Sequence, residues 1–85
     1  MAFYQILYWQ DIPSQVKVWD DFDELKFELS PKFMVKIDQA AKTQGLTSDD
    51  DYLAQWKWSD EEERPGDAEA VAEEIKKELE EKFNR

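Results

Sequence analysis

Apolar side chains run almost without interruption through Phe3-Tyr-Gln-Ile-Leu-Tyr-Trp9, which suits a strand lying centrally in a sheet or covered on both faces. Asp11-Ile12-Pro13-Ser14 then breaks the run, because proline cannot donate to a ladder. From Val16 to Leu29 the pattern becomes alternation. Val16, Val18, Leu25, Phe27 and Leu29 face one way and Lys17, Lys26 and Glu28 the other, with Asp20 to Asp23 as the turn. This predicts a β-hairpin with one buried face and puts Trp19 outside, beside Lys17. Ser30-Pro31 reads as an N-cap and first helical residue, Gly45 as the left-handed residue past the helix end, and Phe33, Met34, Ile37, Ala40 and Ala41 as the stripe between them. A second helix is expected from Asp67 as N-cap to about Phe83, on the spacing Val71, Ile75, Leu79, Phe83. Its outer face pairs Glu73 with Lys77, Glu78 with Lys82 and Glu81 with Arg85 at i, i+4.

Two patterns compete between the helices. Tyr52, Ala54, Trp56 and Trp58 alternate with Leu53, Gln55 and Lys57 as a strand would, whereas Thr47-Ser48 before three aspartates marks a helix start. The favoured reading is a helical turn at 48–52 running into a strand at 53–58, then a charged loop from Asp60 to Arg64 inside a linker-like stretch at 59–67. The expected fold is one α+β domain over residues 1–85. It has two layers, a three- to four-stranded antiparallel or mixed sheet with two helices on one face, in the order βββα(β)α.

Composition narrows the chemistry. The chain holds no histidine and no cysteine, which removes most nucleophile, base and soft-metal chemistry and any disulfide framework. A formal net charge of −10 repels nucleic-acid phosphates and anionic membrane alike, so neither is an expected partner. The excess is concentrated: residues 46–66 carry 7 acids against 2 bases. The run Phe3 to Trp9 is too short to cross a bilayer and no leader pattern precedes it, so the expected location is the cytoplasm.

Carboxylates are the remaining candidates for chemistry. Asp49-Asp50-Asp51 suggests a hard cation, but an EF-hand needs ligands at alternate positions and a glycine at the sixth. Acids in the first turn of a helix explain the run without a metal, and neither a metal nor a cofactor is expected. Paired carboxylates could hydrolyse a glycoside, but a chain of this size keeps little material for a cleft once its core is packed. The tryptophans are better placed. Trp9, Trp19, Trp56 and Trp58 are too many to enclose fully in a small core, and tryptophan is enriched at binding hot spots. Roofing the core with one wet edge explains two or three of them more readily than a contact surface does.

The string Tyr8-Trp9-Gln10-Asp11-Ile12-Pro13-Ser14-Gln15-Val16 resembles the Tyr-Trp-Arg-Asp-Ile-Pro-Ala-Gln-Val signature of a small bacterial domain, the virulence-factor family. Phe33, Ile37-Asp38-Gln39-Ala40-Ala41, Gly45-Leu46, Asp51-Tyr52-Leu53 and Trp56 resemble its second block, so that the likeness spans residues 4–58. Members occur alone or within larger proteins of the conserved virulence factor C type, beside a domain similar to iron–sulfur scaffolds and beside HEAT-like repeats. The resemblance implies no activity. Gln10 stands where the family usually has arginine, and without cysteine this domain cannot itself hold an iron–sulfur cluster. The function expected is a non-catalytic interaction or accessory module, a monomer or weak dimer. It would meet a protein partner through the outer sheet face and the Asp11-Ile12-Pro13 corner, with Trp9, Asp11, Trp19, Trp56 and Trp58 as the candidate surface. A small carboxylate-dependent enzyme is the alternative, and an acidic mimic of nucleic acid the third.

Overall fold

A computed structural model describes residues 1–46 and 48–82. The fold is α+β, with one open antiparallel sheet of five strands, β1 (Ala2–Trp9), β2 (Ile12–Trp19), β3 (Glu24–Glu28), β4 (Trp56–Trp58) and β5 (Glu62–Arg64). The helices are α1 (Pro31–Thr43), α2 (Asp49–Leu53) and α3 (Ala68–Lys82). Strand order is β3-β2-β1-β4, and β5 also lies along β1, beside Ala2 to Tyr4. The apolar first strand is thus central. Between β4 and β5 the ladder is interrupted, and Ser59 bridges the gap: its N–H donates to the Ile6 carbonyl at 2.8 Å and its Oγ accepts from the Ile6 N–H at 2.9 Å.

Pro13 does not end a strand, as its sequence context suggests, but sits within β2. Leu7 pairs with Gln15 and Tyr8 with Pro13, so β2 carries one extra residue, Ser14, and this bulge absorbs the missing donor. The turn before it is only Gln10-Asp11. Gln10 takes a φ of 56°, a conformation that costs a non-glycine residue about 1–2 kcal/mol. Its amide offsets the cost by donating to Gln44 at 2.7 Å and Gln55 at 3.2 Å, tying the turn to the ends of α1 and α2.

The helix boundaries follow the sequence, but one cap is supplied from elsewhere. Ser30 makes no side-chain bond to its own helix. Its N–H and Oγ both donate to the Glu80 carboxylate of α3, at 3.0 and 2.9 Å, and Lys32 joins at 3.2 Å. Glu80 therefore answers the positive end of α1 from a distant part of the chain, where the first turn of α1 has no acid of its own. At the other end Gly45, at φ 74°, closes a Schellman motif. Its N–H donates to Lys42 and that of Leu46 to Ala41. Asp67 caps α3 through Ala70, and Asp20, from the hairpin tip, accepts the Ala68 N–H at 2.9 Å.

Two regions depart from the expected topology. The charged stretch Asp60 to Arg64 contains β5, which no apolar pattern announces. It is held by its partners: Tyr4 donates to Glu62 at 2.5 Å, and Arg64 lies over the Tyr4 ring while reaching Glu74 and Glu78 on α3. Glu78 is thus engaged across the fold, by Arg64 of β5. The expected strand at 53–58 is shorter, because α2, capped by Ser48 through the Asp51 N–H, takes Leu53. Phe83 and Arg85 lie outside the described residues.

Packing divides into two cores. In the larger, Val71, Ile75 and Leu79 of α3 and Phe33 of α1 meet Tyr4, Ile6, Val16 and Val18 on the inner sheet face, with Leu25 and Phe27 half-buried at its margin. Burying each such aliphatic side chain contributes about 1.5–3 kcal/mol relative to leaving it exposed. In the smaller, Ile37 and Ala41 of α1 close over Trp9, with Ile12, Leu46, Tyr52 and Trp56 around them. One helix therefore serves both cores.

Candidate functional site

Alternation along the strands defines the outer face. Cross-strand register aligns Glu24, Trp19, Phe3 and Glu63 in one row, Lys26, Lys17 and Gln5 in the next, and Glu28, Gln15, Leu7 and Trp58 in a third. None of these residues belongs to either apolar core. Trp19 stacks on Phe3 with ring centroids 6.0 Å apart and 25° between the planes, and the Lys17 ammonium sits 5.4 Å above it. Trp58 is 47% exposed.

The candidate residues separate accordingly. Trp19 and Trp58 stand on the outer face. Asp11 is exposed at the β1–β2 turn, but Ile12 and Pro13 beside it turn inward, so the corner presents a single side chain. Trp9 is a correction: it is 0% exposed, its indole N–H donating to the Tyr52 carbonyl at 3.0 Å, and it cannot contact a partner. The bulge and the closure of α1 and α2 over the sheet end bury it. Trp56 is half-buried beside Tyr52, with ring centroids 6.0 Å apart, and borders a groove of about 420 Å³.

Sequence reasoning missed that groove. It opens between the start of α1 and the outer face, lined by Leu29, Pro31, Phe33, Met34 and Trp56, with Ser14, Gln15, Glu28 and Ser30 as its polar members. No local pattern could announce it, since it joins the bulge, the β3–α1 junction and β4. Of its lining, hairpin alternation accounts for Glu28 and Leu29, on opposite faces of the strand.

The aspartate run has a structural role. Asp49, Asp50 and Asp51 form the first turn of α2 and are exposed, as acids at a helix N-terminus are favoured to be. Among the described residues no group of three or more acids is arranged to hold a metal ion. Millimolar Ca²⁺ or Mg²⁺ is therefore expected to raise the melting temperature no more than NaCl of equal ionic strength, because only specific binding to the folded state adds mass-action stability. A calorimetric excess with the divalent ion, abolished by Asp51→Asn, would overturn this.

The Tyr8-Trp9-Gln10-Asp11-Ile12-Pro13 turn, the helix it is tied to and the aromatic sheet end form one structural unit. A family model described as virulence factor matches residues 7–85, nearly the whole chain, and the protein belongs to that family. The match runs past residue 58 to include β5 and α3. No curated protein and no solved structure matches the chain. Among the described residues no helix is long and apolar enough to cross a membrane.

Proposed function

We propose that this virulence-factor family domain is a non-catalytic interaction module whose working surface is the outer sheet face. One observation supports the reading above others: Phe3, Leu7, Trp19 and Trp58 lie on the outer sheet face and belong to neither apolar core. A sheet face facing only water ordinarily carries polar residues, and aromatic side chains kept there lose the burial free energy a partner would restore. Trp9 serves this surface indirectly, by bracing the sheet end beside it.

The test is site-specific photo-crosslinking of the full chain in the cells that make it. A crosslinker at Trp58 should give a discrete protein adduct, which Trp19→Glu weakens, while one at the exposed Lys77 on α3 should give none. Adducts confined to the helix position would refute the reading, and an adduct that is a second copy of the chain would identify a dimer face instead. When the crosslinking is repeated in a lysate of those cells, adduct yield should persist as salt is raised. A yield that collapses would favour an acidic mimic of nucleic acid, whose attraction is screened within a Debye length of about 8 Å at physiological ionic strength.

A further inference from the structure

Resting on that reading, we infer that the groove between the start of α1 and the outer face receives a short peptide segment of a protein partner, one apolar anchor flanked by lysine or arginine. Three features of the groove carry this.

The first is its shape and lining. At about 420 Å³ it accommodates a large side chain, and Leu29, Pro31, Phe33, Met34 and Trp56 give it an apolar wall. Met34 is 41% exposed at its rim, and an unbranched thioether can adjust to differently shaped anchors. The second is Ser14. Although only 7% exposed, its hydroxyl donates to the Met34 sulfur at 3.6 Å, a weak acceptor that a peptide carbonyl would replace with gain. The third is charge. Among the described residues Glu28 is the one ionised side chain in the lining, Lys26 on the same strand leans towards Glu24, and the chain as a whole carries −10. A basic segment is drawn in and an acidic one repelled.

The groove also opens onto the proposed working face. Gln15 lines it and pairs with Leu7, which pairs in turn with Trp58, two residues along β4 from Trp56. A segment anchored in the groove would therefore lead onto the aromatic surface.

A phage-displayed library of random linear peptides, panned against the full chain, provides the test. Selected peptides, remade synthetically, should share an aliphatic or aromatic residue next to Lys or Arg. Their affinity should fall at least about tenfold on Met34→Asn and on Glu28→Lys, both exposed positions where circular dichroism should show the fold intact. Binding to Glu28→Lys should be regained when the flanking cation of the peptide is changed to glutamate. Peptides that ignore Met34→Asn but are lost on Trp19→Glu would overturn the groove and leave the outer-face reading standing. Selection of anchors flanked by acids would overturn the basic occupant, and a library yielding no binder would overturn both.

Discussion

Trp9→Ala should destabilise the domain by about 3–5 kcal/mol, as truncation of a fully enclosed aromatic does, a large share of the stability of a small domain at the lower end of the usual range of about 5–15 kcal/mol. The side chain has no exposed area, and its removal would leave a cavity between Ile37, Ala41, Tyr52 and Trp56. It would also orphan the Tyr52 carbonyl, which accepts the indole N–H at 3.0 Å. Trp19→Ala, which loses the Phe3 stack on an open face, should stay within about 1 kcal/mol. Urea unfolding of the two variants measures both. For a chain of this length Trp9→Ala should lower the melting temperature by at least about 12 °C. Equal losses would mean that the two tryptophans do the same structural work, and the division between a buried brace and an exposed contact would fail.

That division was only half legible in the sequence. Alternation placed Trp19 opposite Val18 and the structure keeps it there, because register in a half-buried hairpin is fixed by the buried face. Trp9 ends a run that alternates nowhere, so its side was unreadable; a bulge at Ser14 and the packing of α1 and α2, both tertiary events, decide it. β5 shows the same limit. Glu62-Glu63-Arg64 has no strand pattern and becomes a strand through Tyr4, Glu74 and Glu78, residues 10 to 58 positions away. The helices were legible because their stops are local: a proline at one start, an aspartate at the other, and a glycine whose positive φ closes α1.

The cap supplied by Glu80 reverses an expectation that charge alone suggests. In a chain of −10, carboxylates crowded by like charge would have raised pKa values, and mild acid would then do no harm. Among the described residues the three carboxylates that are displaced all move the other way. The N–H of Ala68, then those of Phe22 and Asp23, hold Asp20 below its ordinary range, and the Arg64 guanidinium does so for Glu78. Burial pushes Glu80 up, but the Ser30 N–H and hydroxyl and the Lys32 ammonium outweigh it, so that its carboxyl also lies low.

A group whose folded pKa lies below its unfolded one stabilises the fold above the unfolded value, and that stability is lost as pH falls through the folded value. The domain should therefore be evenly stable between pH 6 and 8, where no histidine titrates, and should weaken below about pH 4, where free carboxyls protonate. Glu80→Gln should lose about 1–2 kcal/mol at pH 7, the worth of a helix cap, and should then lose less than the parent protein on further acidification. Urea titrations of both proteins at pH 7, 4 and 3 would measure it. Parallel curves would show that Glu80 contributes packing alone, and a gain in stability on acidification would restore like-charge crowding as the dominant effect.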